Sequence, residues 1–127
     1  VRARWIREVG QALAISRNMG GDYEMELNAG HPSLFNDPQV AGWIQETAVS
    51  LIGTENVGAG QTVMAGEDFA YMTRAGKGAM MSLGVCKPGE FPRFVHHPEF
   101  DLDERALPVG AAIMAATALR YVRGELS

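Results

Sequence analysis

The sequence predicts an α/β fold, in which helices alternate with strands. Helical spacing of apolar residues occurs over positions 1–18, 37–53 and 106–123. A strictly alternating segment at 22–28 and an apolar run of strand length at 79–85 fall between these helices. No internal repeat and no low-complexity stretch interrupts this order. Helices that alternate with strands along the chain are typical of α/β proteins.

Composition narrows the class of protein. The chain has 127 residues, 46% of them apolar and 20% charged, as expected for one soluble globular domain. A net charge of -4 without a basic stripe argues against nucleic-acid binding. The sequence has no apolar run of membrane-spanning length, and its single cysteine, Cys86, fits a reducing compartment. We therefore expect a cytoplasmic protein that binds neither nucleic acid nor membrane.

The first elements are a helix and a strand. The helix over 1–18 has its apolar residues at three-and-four spacing: Trp5, Ile6, Val9, Ala12 and Leu13. Because no capping residue precedes them, we expect the chain to be a piece of a longer polypeptide. Gly20 and Gly21 end this helix. The alternation of apolar and polar residues over Tyr23–Asn28 predicts a strand with one face exposed to solvent. The turn-rich segment 30–33 is the expected domain boundary.

The second half of the pattern begins with a capped helix. Asp37 is the expected cap, Pro38 takes the first helical position, and Gly53 ends the helix. A short helix is expected over 67–72, with acidic residues in its first turn. The run 79–85 predicts a strand deep in a sheet. The last helix, from about Ala106 to Arg123, is apolar nearly all round, so we expect it to be largely buried.

The residues that could carry chemistry are few. His96 and His97 lie on a long loop at 86–104 beside several carboxylates, and neutral imidazole is a good ligand for zinc, cobalt or manganese. A bare histidine pair is more often structural, because adjacent side chains point apart and seldom bind one ion together. Glu67 and Asp68 allow the same two interpretations, as site residues or as ordinary acidic residues at a helix start.

Two further side chains are more simply explained by structure. His31 is a lone histidine in a turn. The only basic residue beside Cys86 is Lys87, so we expect Cys86 to be a packed thiol and not a nucleophile. The sequence contains no nucleophile elbow, no phosphate-binding loop and no CxxC pair.

In their order along the chain, five motifs resemble the M20 metallopeptidase family. These are Gly30–Asp37, Met64–Phe69, Leu83-Gly84, His96–Asp101 and Ala106–Ala111. The likeness is strongest to the amidohydrolase branch, which contains hippurate hydrolases, aminoacylases and hydrolases of auxin–amino-acid conjugates. Each motif is weak alone, but five in the family's order are fairly specific.

The resemblance implies a fold and a division into domains. Residues 1–33 would be the last helix and strand of an inserted α+β lid domain, which in this family often pairs with a second copy. Residues 34–127 would be the C-terminal part of a zinc-peptidase-like α/β catalytic domain. The complete enzyme would hold two divalent metal ions, which could be Zn, Mn or Co, and would form a homo-oligomer.

The resemblance also implies site residues and a reaction. His96 matches a metal ligand of the family, with His97 as the second choice. Glu67 and Asp68 match an acidic pair that supports the site or contacts substrate, and Asn36 matches a hinge asparagine that a substrate carboxylate or a hinge turn could use. The implied reaction is metal-assisted attack of water on the amide bond of an N-acyl amino acid, for example an N-benzoyl or N-acetyl amino acid.

Several residues of the family pattern are missing from this sequence. The other metal ligands belong to a His-x-Asp or Cys-x-His segment and a Glu-Glu pair, and neither is present. One glutamate of that pair is the general base, so we assign no catalytic residue here. We expect the chain to need the missing N-terminal part and to be inactive alone. The alternative is a non-catalytic remnant that associates through the edge strand at Tyr23–Asn28.

Overall fold

The computed structural model describes residues 2–28 and 30–126, and only the backbone of Arg2. It contains four α-helices: α1 (Arg2–Asn18), α2 (Pro38–Ile52), α3 (Ala70–Ala75) and α4 (Ala106–Val122). A single turn of 3-10 helix, Thr54–Asn56, follows α2. The chain divides into two compact units, Val1–Gly30 and His31–Ser127. None of the helices in the described ranges has both the length and the apolar character needed to cross a bilayer.

The first unit consists mainly of α1 and the segment that follows it. The predicted helix is confirmed from Arg2 onward, and Val1 lies outside the described residues. The predicted end at Gly20-Gly21 is also confirmed. The N–H of Gly20 donates to the carbonyl of Arg17 and that of Gly21 to the carbonyl of Ser16, at 3.1 and 3.0 Å. This is a Schellman motif, and Gly20 takes the positive φ of 87° that it requires.

The two predicted strands are not formed in the part of the chain that the structure describes. Residues 22–28 and 79–85 belong to no strand, and neither segment pairs with a neighbouring one. The prediction of strands is therefore wrong for this chain alone, whereas the helices of the α/β prediction are confirmed. The physical reason is that a strand exists only with a partner for its backbone N–H and C=O groups.

The segment 79–85 nevertheless keeps the period of a strand. Ala79, Met81, Leu83 and Val85 are half-buried, while each residue between them is exposed. Side chains that alternate in this way lie on opposite faces of an extended chain. One face of the segment therefore packs on the helices and the other faces solvent.

The core of the second unit lies between α2 and α4. Ile44, Ala48 and Ile113 are buried, and half-buried apolar residues pack against them: Val40, Ile52, Val57, Ala79, Met81 and Val109. Thr47 is 1% exposed, and its hydroxyl accepts a hydrogen bond from Nη1 of Arg120 at 2.9 Å. This bond joins the two helices at a position where a buried hydroxyl would otherwise lack a partner.

The ends of α2 match the prediction. Asp37 accepts hydrogen bonds from the backbone N–H groups of Gln39 and Val40 at 3.0 and 3.1 Å. Pro38 occupies the first turn, where its missing N–H costs nothing. Gly53 ends the helix with φ 84° and ψ 153°.

Helix α4 has the predicted position but not the predicted burial. Only Gly110, Ile113 and Thr117 are buried, and Met114 is 53% exposed. Because α2 covers one side of α4, the apolar residues of the opposite side have no cover within the described residues. Gly110 faces the segment 79–85 closely, since a Cβ there would lie 2.8 Å from Cδ2 of Leu83.

Candidate metal and substrate site

The two adjacent histidines occupy a tight turn before α4. His96 has a φ of 74°, and it is the one non-glycine residue of the described chain with a positive φ. Such a conformation costs on the order of 1 kcal/mol or more and is concentrated at functional sites, although histidine tolerates it better than most residues. The turn is closed by hydrogen bonds from the N–H of His97 to the carbonyl of Phe94 at 3.1 Å and from Phe100 to the carbonyl of His97 at 2.9 Å.

The two imidazole rings differ in their hydrogen bonds. The backbone N–H of Glu99 donates to Nδ1 of His97 at 3.1 Å. Nδ1 is therefore the acceptor, and the neutral ring of His97 carries its proton on Nε2. No hydrogen bond reaches the ring of His96 from the described residues. A nitrogen lone pair is thus available for a metal at His96, whereas at His97 the lone pair is engaged.

Both histidines line one open groove of about 440 Å³. The other lining residues are Phe91, Pro92, Arg93, Phe94, Val95 and Glu99. Phe91 and Phe94 are 85% and 81% exposed, so the apolar wall of the groove is uncovered. The guanidinium of Arg93 lies 3.8 Å from the carboxylate of Glu90 and 3.7 Å from that of Glu99. The groove therefore combines exposed aromatic rings with a cation and two imidazoles.

One ion pair and one backbone bond join the two ends of the histidine loop. Lys87 at its start pairs with Asp101 near its end. This hydrogen bond raises the pKa of Lys87 and lowers the pKa of Asp101. The backbone N–H of Asp103 donates to the carbonyl of Val85 at 2.8 Å. The loop is thus closed at its base, which limits the positions that the histidines can take.

The start of α4 is stabilised by the side chain of Asp103. Its carboxylate accepts hydrogen bonds from the backbone N–H and the side-chain Nε of Arg105, at 3.1 and 2.8 Å. The bonds from Arg105 hold the pKa of Asp103 at about 2, below its usual 3.8.

The predicted acidic pair lies at the start of α3. Oε1 of Glu67 accepts a hydrogen bond from the backbone N–H of Phe69 at 3.2 Å. The helix itself begins at Ala70, three residues after the predicted start. Glu67 is half-buried and Asp68 is exposed. The ring of His31 meets the ring of Tyr71 edge-on with centroids 5.9 Å apart, next to this turn.

Asn36 is bonded to the segment 79–85. Its Nδ2 donates to the carbonyl of Met80 at 2.8 Å, and its Oδ1 accepts from the N–H of Met80 at 2.9 Å. The amide thus acts as a neighbouring strand would. These contacts lie within the second unit, and a hinge role for Asn36 stays a prediction. Contact of Asn36 with a substrate stays a prediction, as does that of Glu67, and neither side chain is hydrogen-bonded to His96.

The groove contains a residue that sequence reasoning missed. The sequence-based prediction assigns no role to Arg93, although it lies three residues before His96 and four before His97. A cation at that spacing from His96 and His97 is the signal that could have identified it. The backbone bond from Glu99 to His97 has no sequence signature.

The described residues do not form a metal site by themselves. Within residues 2–28 and 30–126, no three side chains of the metal-binding types come together. His96 has the chemistry of a ligand, an imidazole without a competing hydrogen bond, but an ion needs three or four donors. The chain by itself therefore fits a metal incompletely.

Comparison with known proteins identifies the family. The sequence pattern of peptidase family M20/M25/M40 matches residues 6–120. The chain is 34% identical to the putative amidohydrolase YhaA of Bacillus subtilis over 105 residues, which are 80% of this chain and 26% of that protein. It is 32% identical to an N-acetyldiaminopimelate deacetylase of Streptococcus gordonii over 81% of this chain and 26% of that protein.

A plant relative matches a similar share of the chain. The IAA-amino acid hydrolase ILR1-like 6 of Arabidopsis thaliana is 30% identical over 79% of this chain and 22% of its own length. No solved structure matches. The chain thus spans about a quarter of the length of these relatives. With the family pattern covering all but the two ends, the chain belongs to the peptidase family M20/M25/M40.

Proposed function

We propose that this chain supplies His96 as one metal ligand to a longer metal-dependent amidohydrolase that cleaves the amide bond of N-acyl amino acids. The observation that carries the proposal is the state of His96. Its backbone is held in the left-handed region, and its ring has no hydrogen bond from the described residues while lining an open groove. Backbone strain of this kind is concentrated at functional sites, and no hydrogen bond from the described residues competes with a metal for the ring nitrogens of His96.

The names of the relatives support the reaction class. One is a putative amidohydrolase, one a hydrolase of IAA-amino acid, and one a deacetylase of N-acetyldiaminopimelate. An N-acyl amino acid as substrate is the simplest class consistent with these names. When bound, a divalent ion such as Zn, Mn or Co would polarise the amide carbonyl and activate water.

The residues of this chain have separate tasks in the proposal. His96 binds the ion, and the Lys87–Asp101 pair and the Asp103–Val85 bond hold the loop that carries it. Asn36 fixes Met80 beside the start of α2, and Glu67 with Asp68 contacts substrate or supports the site. The remaining ligands and the general base come from the longer polypeptide. In this proposal the longer polypeptide is cytoplasmic and assembles into homo-oligomers. The alternative, an association module, relies on a strand at Tyr23–Asn28 that the described residues do not form.

The proposal is tested by replacing each histidine in the longer polypeptide. His96→Ala is expected to lower metal content and to reduce hydrolysis of N-acyl amino acids on the order of 100-fold or more, because even an outer partner of a ligand contributes 10–100-fold. His97→Ala is the matched control and should keep its metal, with a smaller loss of activity. Metal content comes from atomic emission and activity from release of free amino acid. Equal activity of His96→Ala and wild type would remove the assignment.

A further inference from the structure

We propose that His97 and Arg93 form the binding site for the free carboxylate of the substrate, with Nε2–H of His97 as a directed hydrogen-bond donor. This inference rests on the proposed function, since it assigns part of the same groove. It goes beyond that function because it gives a role to the second histidine and to a cation that the metal does not use.

The first step concerns the proton of His97. The N–H of Glu99 lies 3.1 Å from Nδ1, and an N–H can donate only to an unprotonated nitrogen. The ring proton is therefore on Nε2. The backbone bond at Nδ1 fixes the tautomer and restrains the ring, and His97 is one of the side chains that line the groove.

The second step concerns Arg93. Its distances to the carboxylates of Glu90 and Glu99, 3.8 and 3.7 Å, are ion-pair distances and too long for hydrogen bonds. The guanidinium N–H groups form no hydrogen bond within the described residues. A ligand carboxylate at hydrogen-bond distance would use guanidinium N–H groups that these two glutamates leave without a hydrogen bond.

The third step concerns what the groove can accept. An N-acyl amino acid has one anionic group, its carboxylate, and an apolar part in its acyl group or side chain. The groove offers N–H donors from His97 and Arg93 beside the exposed rings of Phe91 and Phe94. His96 and His97 line the same groove. With the amide held at the ion on His96, the donor of His97 is left for the carboxylate, which in an N-acyl amino acid is separated from the amide nitrogen by one carbon.

The experiment uses two variants that separate the two nitrogens of His97. Asn can accept the Glu99 N–H through Oδ1 but has no donor at the position of Nε2. Gln places a donor near Nε2 but loses the acceptor next to Cγ. In the longer polypeptide, His97→Asn is expected to lower kcat/KM for N-benzoylglycine about 10- to 100-fold, mainly through KM, as for loss of a hydrogen bond to a charged group. His97→Gln should recover much of this loss, and both variants should keep the wild-type metal content.

The probe without the carboxylate sharpens the test. N-methylbenzamide is the same amide as N-benzoylglycine without the carboxylate, and the two variants are expected to match wild type on it. A wild-type enzyme that binds metal but treats the two probes alike would overturn the carboxylate site. Loss of metal in His97→Asn would overturn it too, since His97 would then be a ligand. If wild type neither binds metal nor cleaves either probe, the proposed function and this inference both fail.

A measurement on this chain tests the first step independently of any activity. Long-range ¹H–¹⁵N spectra of the 127-residue chain, recorded where the ring is neutral, are expected to show the proton of His97 on Nε2. A ring of His97 protonated on Nδ1 would contradict the inference while leaving the role of His96 untouched.

Discussion

Position 96 shows how a single residue links sequence, conformation and chemistry. Through the family resemblance, the motif His96-His97-Pro98 predicts His96 as the ligand and His97 as the second choice. The structure separates the two rings by their hydrogen bonds, since Glu99 occupies Nδ1 of His97 and the described residues leave His96 free. This difference could not be predicted from the sequence, because the backbone bond from Glu99 to His97 has no sequence signature.

A second feature at the residue scale is the carboxylate of Asp103, which predicts acid sensitivity. Its pKa of about 2 lies below the usual 3.8, because the charged form accepts hydrogen bonds from Arg105. The folded state therefore binds fewer protons than the unfolded state, and this stabilisation is complete above about pH 4 and lost as the pH falls towards 2. We expect the free energy of unfolding, from urea titrations followed by circular dichroism, to decline over that range.

The matched variant for this prediction is Asp103→Asn. Asparagine keeps an oxygen that can accept the N–H of Arg105 but has no charge to titrate, so its decline over the same range should be shallower. An identical pH profile for wild type and Asp103→Asn would show that other carboxylates cause the decline.

At the scale of elements, local signals predicted the helices well and the strands poorly. Asp37, Pro38 and Gly53 mark the two ends of α2 by interactions within a few residues, so the structure reproduces them. The run 79–85 has the composition and the alternation of a strand, but its partners are not within the described chain. Helix α4 is less buried than predicted for the same reason. Its apolar composition indicates that it could pack on several sides, but the described chain covers only one of them.

Gly53 provides the prediction that belongs to α2. Its φ of 84° with ψ of 153° is a combination that almost only glycine adopts. Gly53→Ala is expected to lower the free energy of unfolding by about 1–3 kcal/mol. Gly42→Ala is the control inside the same helix, where a Cβ would meet nothing within 4 Å, and it should raise stability by about 0.5–1 kcal/mol. Urea titration measures both, and a neutral or stabilising Gly53→Ala would refute the role of this end residue.

At the scale of the whole molecule, the chain has apolar and backbone groups that it does not cover. Half of α4 is exposed, and the N–H groups of residues 81–84 have no partner among the described residues, whereas that of Met80 is bonded to Asn36. Backbone groups that are buried are paired in nearly all folded proteins, and Met81 and Leu83 of this segment are half-buried. The chain spans about a quarter of the length of its relatives, and the proposed function assigns the missing partners to a longer polypeptide.

Hydrogen exchange tests this view of the molecule. The amides of residues 81–84 are expected to exchange rapidly in the isolated 127-residue chain and to become protected in the longer polypeptide. The amide of Met80 and those inside α2 serve as internal references, since both are bonded in this chain. Strong protection of residues 81–84 in a monomeric sample of the isolated chain would show that the segment is already paired.

The central claim is that the imidazole at position 96 binds the metal of a longer hydrolase. Anomalous diffraction at the zinc edge from crystals of that longer polypeptide measures it directly. We predict a peak about 2.0–2.1 Å from a ring nitrogen of His96, the usual zinc–imidazole distance, and none at that distance from His97. A bound zinc ion that lies outside bonding distance of His96 would contradict the account.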